Sequence, residues 1–197
     1  MDLSQLGRLI AEEIINEPGP CLYPGKFKPP HKGHFKVAYE LASRNYITEV
    51  IIIISKKELD GITPEESLQV WNMYLAALPN PKIKVQISIK DSPIGDVIAF
   101  ISSHPDTSPI YIVGGEDETD DQGYLASIVD SYPNQVKRIN ADEKSEGVTS
   151  VFCRGCLKTG DYEAFTTCIP EAAFNKGAGP QVFKMLATNY TDDRQED

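Results

Sequence analysis

Continuous apolar runs along the chain alternate with segments of helical spacing. The run at residues 49–55 (EVIIIIS) is β-branched and has no polar alternation, which predicts a central parallel strand covered on both faces. Shorter apolar runs at 21–25 (CLYPG) and 109–115 (PIYIVGG) predict further buried strands. Residues 82–88 (KIKVQIS) alternate as a strand does, and a weaker strand is predicted at 135–139 (QVKRI).

Helices are predicted between these runs, beginning with one that starts at Gly33. Thr63, Pro64 and Glu66 form a capping-box pattern with proline at the first helical position. In the same segment, Trp71 has helical spacing with its apolar neighbours, which predicts that it packs in the core. The further helices are predicted at residues 63–78 and 92–104, at roughly 120–130, and from about 150 onward.

Strand and helix therefore alternate at least four times. This order is typical of an α/β fold with a doubly wound, Rossmann-like parallel sheet. We expect about five strands, helices on both faces of the sheet and a helical C-terminal part. In such a sheet, ligands bind beyond the carboxyl ends of the strands, at the topological switch point.

The ends of the chain have a different character. Residues 1–17 are predicted to form an N-terminal helix whose apolar stripe packs on the core or makes a homo-oligomer or assembly contact. Residues 18–190 are expected to form a single α/β domain, and 191–197 a flexible, solvated tail. The N-terminal segment is too acidic and too interrupted to predict a signal peptide, so a cytoplasmic location is expected.

Charge and hydropathy narrow the classes of partner. The formal net charge of −10 argues against broad nucleic-acid binding, which relies on many Lys and Arg contacts to phosphates. No apolar run approaches the roughly 20 residues of a membrane span, so no membrane partner is expected. The four cysteines are expected to be reduced thiols, and the Cys153–Cys156 pair lacks two further zinc ligands at suitable spacing.

One short loop departs from the acidic character of the chain. Residues 25–34 (GKFKPPHKGH) contain two of the three histidines and three lysines. His31 and His34 are three residues apart across a predicted helix start, so both side chains can face the same side. The helix N-terminus, the lysines and the glycines that allow close backbone approach together favour binding of a polyphosphate.

The loop also carries a recognisable pattern. The form G-x-F-x-P-x-H-x-G-H resembles the first signature of the nucleotidylyltransferase superfamily, which includes nicotinamide-mononucleotide and phosphopantetheine adenylyltransferases and the cytidylyltransferases. Every fixed position is matched, by Gly25, Phe27, Pro29, His31, Gly33 and His34. Residues 55–71 are in addition similar to adenylyltransferase-like proteins encoded by large bacteriophages.

Two further segments extend the resemblance. Residues 147–165 resemble the superfamily's second motif, I-S-x-T-x-x-R, with Thr149 and Ser150 at the hydroxyl-bearing start, Arg154 at its end, and Val151 where threonine is usual. The resemblance implies that this segment opens a helix holding the β- and γ-phosphates of a nucleotide. A glycine-acid turn lines the nucleotide in related enzymes, and its candidates here are Gly114, Gly115 and Asp117.

The resemblance implies transfer of an adenylyl group from ATP to a phosphate-bearing acceptor such as nicotinamide mononucleotide, with release of pyrophosphate. His31 and His34 would stabilise the transferring phosphate, Lys28 or Lys32 would add positive charge, and Arg154 would hold the departing phosphates. A Mg²⁺ ion would be held mostly by substrate oxygens and water rather than by protein ligands. The partners implied are small-molecule nucleotides.

Two alternatives remain open from the sequence. One is a cytidylyltransferase that uses CTP. The other is a catalytically degenerate protein of the same fold, acting as a nucleotide-binding module or as a structural or adaptor component of a virion. Val151 and the unassigned N-terminal helix are the features that favour the second alternative.

Overall fold

The computed structural model describes residues 17–104, 108–114, 119–140 and 147–190, with only the main chain of 119–122. The predicted N-terminal helix and C-terminal tail lie outside these residues. The described chain forms a parallel sheet in the order β3-β2-β1-β4-β5. The strands are β1 (Gly19–Gly25), β2 (Ile47–Ile54), β3 (Ile83–Ile87), β4 (Ile110–Gly114) and β5 (Val136–Asn140).

Helices connect the strands and follow the last of them. Those between strands are α1 (Lys32–Ala42), α2 (Pro64–Ala77), α3 (Pro93–Ser103) and α4 (Thr119–Ser131). Those after β5 are α5 (Ser150–Thr159), α6 (Tyr162–Thr166), α7 (Glu171–Asn175) and α8 (Ala178–Ala187), with a 3₁₀ turn at Thr188–Tyr190. Within the described ranges, no helix combines the length and apolar character that crossing a membrane requires.

Both faces of the sheet are buried, because successive strand residues point to opposite sides. On β1, Tyr23 belongs to a core cluster shared with α1, α2 and the C-terminal helices, whereas its neighbour Leu22 belongs to a cluster shared with α3 and α4. Ile52 and Ile53 of β2 divide between the clusters in the same way. The sheet is therefore doubly wound, as the sequence predicts.

The predicted elements are confirmed, with small differences at their ends. Thr63 and Glu66 form the predicted capping box at the start of α2, and Trp71 is fully buried, as expected. The strand predicted at 49–55 is β2, an internal parallel strand that is covered on both faces, as expected. β1 also begins at Gly19, because Gly19 N–H donates to the carbonyl oxygen of Tyr46, at 2.9 Å.

The strand order locates the topological switch point. The chain moves outward from β1 to β3 and then returns to β4 on the other side of β1. The connections that leave the carboxyl ends of β1 and β4 therefore run in opposite directions. The gap between them is the crevice where doubly wound sheets bind ligands. The loop with the two histidines begins at Gly25, the last residue of β1, and so lies at this point.

A pair of glycine substitutions tests the packing of β1 against β4. A Cβ at Gly19 would lie 2.0 Å from the carbonyl oxygen of Pro109, a backbone atom that cannot move independently. We expect Gly19→Ala to lower the free energy of unfolding by about 2–3 kcal/mol, measured by urea denaturation. Gly155→Ala is the control, because a Cβ there meets nothing within 4 Å and should stabilise α5 by about 0.5–1 kcal/mol. Equal stabilities of the two variants would contradict this packing.

Candidate active site

The loop after β1 follows an unusual path that aromatic packing explains. Phe27 has a φ of 52°, a left-handed conformation that is uncommon for a bulky residue. The ring then turns back over β1, so that a Cβ at Gly25 would lie 2.7 Å from the Phe27 ring. Gly25 is thus required because the ring lies against its α-carbon. The Lys28–Pro29 peptide bond that follows is cis.

Phe27 supports one of the two histidines. Its buried ring makes edge contacts with Tyr23, His34 and Trp71, at centroid distances of 5.1, 5.0 and 5.7 Å. The side chain therefore positions the His34 ring from within the core. The tryptophan predicted to be a core residue forms the far wall of this aromatic cluster.

The two histidines cap helix α1 together. The Gly33 N–H donates to Nδ1 of His31 at 3.1 Å, and the His31 N–H donates to Nδ1 of His34 at 3.3 Å. This is a capping box in which both side chains are imidazoles. The rings are stacked, with centroids 3.7 Å apart, so the two side chains do face the same side of the helix start.

Burial keeps both rings neutral near pH 7. It lowers the pKa of His31 to about 4, with a further contribution from the charge of Lys32. Burial also lowers the pKa of His34 well below its ordinary value, and His31 acts in the same direction. Because each Nδ1 accepts a backbone hydrogen bond, the neutral ring carries its proton on Nε2. Each ring of the pair therefore carries an N–H on Nε2 rather than a positive charge.

Lys28 adds a cation beneath the loop. Its side chain is buried, and Nζ donates to the carbonyl oxygen of Ser55 at the end of β2, at 3.2 Å. Burial lowers the pKa of Lys28 to about 8, against the opposing effect of Glu65 and Glu66 on α2. Lys32 begins α1, where its backbone N–H donates to the carbonyl oxygen of Cys168, at 2.8 Å.

Helix α5 meets this loop through its own first turn. Thr149 is the N-cap, and its hydroxyl accepts the Phe152 N–H at 3.1 Å. The Ser150 hydroxyl donates to the carbonyl oxygen of Pro29, at 3.1 Å. Val151, in the same turn, is 69% exposed. The second motif of the sequence therefore opens a helix, as expected, and lies directly beside the first.

Three consecutive loop carbonyls accept hydrogen bonds from side chains of the surrounding helices. Arg154 Nη1 donates to the carbonyl oxygen of Lys28 at 2.6 Å, and Ser150 reaches the next carbonyl. The hydroxyl of Tyr74, on α2, donates to the carbonyl oxygen of Pro30 at 3.3 Å. Because buried carbonyl groups need donors, these side chains fix the loop between α2 and α5.

Arg154 has a second partner that the sequence did not identify. Its Nε donates to Oδ2 of Asp60 at 2.6 Å, and Lys158, one helical turn later, approaches the same oxygen at 3.5 Å. Burial acts to raise the pKa of Asp60, but the hydrogen bond and charge of Arg154, with those of Lys158, hold it below its ordinary value. The available signals were the Asp-Gly dipeptide after β2 and the i, i+4 spacing of the cations.

The glycine-acid turn is only partly described. Gly114 ends β4, and a Cβ there would lie 2.5 Å from Cδ1 of Leu125 on α4. Gly115 and Asp117 lie outside the described residues.

The cysteines form no disulfide and are all buried. Burial raises the pKa of Cys153 and of Cys156, which opposes formation of a reactive thiolate. In the described part of the chain, no group of three or more His, Cys, Asp or Glu side chains could hold a metal ion.

Fold and site together define a Rossmann-like α/β protein with a histidine-bearing loop at the switch point of its sheet. Two solved structures of nicotinic acid mononucleotide adenylyltransferase from Plasmodium falciparum are similar to it. The structure complexed with APC has a TM-score of 0.54 and 15% identity, over 83% of this chain and 96% of that one. The structure complexed with NaAD has a TM-score of 0.55 and 15% identity, over 85% and 98%.

At this identity the likeness shows a common fold. No family model matches the chain, and no curated protein matches its sequence.

The burial of the histidines predicts how stability depends on pH. When folding lowers the pKa of a group, the protein is most stable at a pH above the pKa that the group has in the unfolded chain, here 6.5. This stability is lost as the pH falls towards the pKa in the folded protein, about 4. For His31 alone, the free energy of unfolding should fall by about 2 kcal/mol between pH 7 and pH 5. Denaturant titrations at several pH values measure this loss.

His31→Asn should reduce the loss by about 2 kcal/mol, because asparagine keeps a capping acceptor but does not titrate in this range. His104→Gln is the control, since it removes a histidine outside the site. The prediction is wrong if wild type and His31→Asn lose the same free energy on acidification.

Proposed function

We propose that the protein is a nucleotidyltransferase that transfers an adenylyl group from ATP to a phosphate-bearing acceptor resembling nicotinamide mononucleotide. The observation that carries the proposal is the stacked, neutral histidine pair beside the first turn of α5. The likeness in fold to a nicotinic acid mononucleotide adenylyltransferase supports it, as does the match of residues 25–34 to the superfamily signature.

The chemistry requires charge neutralisation rather than a base. An acceptor phosphate is already an anion when it attacks the α-phosphorus of the nucleotide, and a P–O bond to pyrophosphate breaks as the new P–O bond forms. Positioning and hydrogen-bond donors directed at the transferring group then supply the catalysis. The Nε2–H groups of His31 and His34 are suited to this role because they donate without needing to be deprotonated or reprotonated.

The cations would act on either side of the histidines. Lys28 lies beneath the loop and Lys32 begins α1, and each would add positive charge near the transferring phosphate. Arg154 and the first turn of α5, with Thr149 and Ser150, would receive the phosphates that leave as pyrophosphate. Gly33, whose N–H donates to Nδ1 of His31, has no side chain that would hinder approach of a phosphate to the helix start.

Magnesium would neutralise charge on the triphosphate. The described residues offer no carboxylate or histidine cluster for it, so its ligands would be phosphate oxygens and water. The protein's own contribution is the set of donors and cations above.

A second candidate function is nucleotide binding without turnover. The specific observation is Val151, which is exposed in the first turn of α5 where the superfamily motif has a hydroxyl. One donor to the terminal phosphates is thereby absent.

One experiment separates these functions. The protein is incubated with Mg²⁺, each nucleoside triphosphate and a panel of phosphorylated acceptors, and pyrophosphate is measured. Release with ATP and a mononucleotide supports the enzyme, and release with CTP instead indicates the cytidylyltransferase. A thermal shift by ATP without release favours the binding protein. If no nucleotide gives either pyrophosphate release or a thermal shift, all three of these functions are ruled out.

Substitution of either histidine should reduce the rate of pyrophosphate release. We expect about 100-fold or greater loss in kcat for His31→Asn and for His34→Gln, as for removal of one oxyanion donor. His104→Gln should retain the wild-type rate, because that residue lies at the end of α3. Rates within a few-fold of wild type in both site variants would remove the histidines from the mechanism.

Val151→Thr should strengthen the site at little expense in stability. Threonine is nearly the same size, and the exposed position does not bury its hydroxyl. A new hydrogen bond to a charged phosphate should tighten ATP binding about tenfold, measured by titration calorimetry. Val151→Ala, which removes bulk without adding a donor, is the control. Equal affinities of the two variants would show that the hydroxyl has no role.

A further inference from the structure

A tight turn directs Asp60 at the cations of α5. The Leu59 and Ile62 backbones exchange hydrogen bonds of 3.2 and 3.1 Å, and the two central residues both have positive φ, 51° at Asp60 and 75° at Gly61. This is the geometry of a type I′ turn, for which Asp-Gly is a preferred pair. The turn follows β2, so it lies at the same edge of the sheet as the histidine loop.

One carboxylate oxygen serves both cations. Asp60 Oδ2 lies 2.6 Å from Arg154 Nε and 3.5 Å from Lys158 Nζ. The Arg154 side chain is only 12% exposed, whereas the Asp60 side chain is 37% exposed. The anion therefore approaches a largely buried guanidinium from the solvent side.

We propose that Asp60 is an internal counter-ion that occupies the position of the terminal phosphates and is displaced when a triphosphate binds. This inference rests on the proposed function, in which Arg154 receives those phosphates. A triphosphate carries several negative charges and can neutralise both Arg154 and Lys158, whereas the carboxylate has a single negative charge to share between them. The two anions repel each other, so they do not share the site.

The position of Asp60 at the protein surface allows a triphosphate to replace its carboxylate. Residues 56–60 are all exposed, and the buried side chain that follows them is Ile62. Gly61 packs against Asn189, from which a Cβ would be 3.1 Å distant. Arg154 also donates to the carbonyl oxygen of Lys28, so the guanidinium keeps its orientation when the carboxylate leaves. The Asp60 carboxylate therefore swings towards solvent while the anchored turn and the guanidinium remain in place.

The test compares Asp60→Asn with Glu58→Gln. Asparagine adopts positive φ more readily than most residues, so the turn is retained while the charge is lost. Glu58→Gln removes the same charge from the same exposed segment, two residues away. Calorimetry measures binding of ATP, inorganic tripolyphosphate and AMP to the wild type and to both variants.

We expect Asp60→Asn to bind ATP and tripolyphosphate about fivefold more tightly, the factor that corresponds to releasing one partly exposed ion pair. AMP, which has no terminal phosphates, should bind equally to all three proteins. Unchanged or weaker ATP binding by Asp60→Asn overturns the proposal. So does an equal gain for AMP or for Glu58→Gln, because each would indicate a general effect of charge.

The outcome is distinguishable from that of the proposed function. If Asp60→Asn binds tripolyphosphate more tightly but no pair of substrates releases pyrophosphate, the counter-ion role of Asp60 is supported and the proposed enzyme activity is ruled out. If the wild type releases pyrophosphate but Asp60→Asn gains no affinity, the proposed enzyme activity is supported and the counter-ion role of Asp60 is ruled out. No binding of ATP or tripolyphosphate to any of the proteins overturns both.

Discussion

The candidate site depends on how the carbonyl groups of residues 28–30 are satisfied. Pro29 and Pro30 have no N–H, so the loop cannot extend the hydrogen-bond ladder of β1. Its three consecutive carbonyl oxygens instead accept from Arg154, Ser150 and Tyr74. These donors come from helices on either side of the loop, and together they determine where both histidines lie.

The distribution of charge follows from the same arrangement. Two neutral histidines lie at the centre, where burial makes a positive charge unfavourable. The cations lie around this centre, on the loop, on α1 and on α5. The site thus gathers several cations in a protein whose formal net charge is −10, and Asp60 compensates part of their charge. Donors at the centre and cations at the periphery are the arrangement on which the proposed binding of a polyphosphate rests.

The sequence predicted the fold well because its strands are signalled by local composition. The β-branched run of β2 and the capping box of α2 each depend on neighbours in the chain, so they could be identified directly. The order of strands could not be predicted in this way, and it places β1, a shorter strand than β2, in the middle of the sheet. A shorter strand becomes central because the chain returns to its other side.

The site shows a similar division. The two histidines could be placed together because a helix start relates residues three apart. The role of Phe27 could not be foreseen, since its ring contacts Trp71 from a different helix. Asp60 was missed because its partner is 94 residues away, and a turn signal does not indicate which cation its side chain will meet.

The long-range bonds of α5 also set the order in which the molecule can be completed. The loop and its donors on α5 are separated by 121 and 126 residues, and all five strands precede α5 in the chain. During synthesis the sheet can therefore assemble while the carbonyls of Lys28 and Pro29 are still exposed to water. The carbonyls of Lys28 and Pro29 gain these donors only once the C-terminal helices are in place. The intact candidate site therefore reports that both the N-terminal and the C-terminal parts of the described chain have folded together.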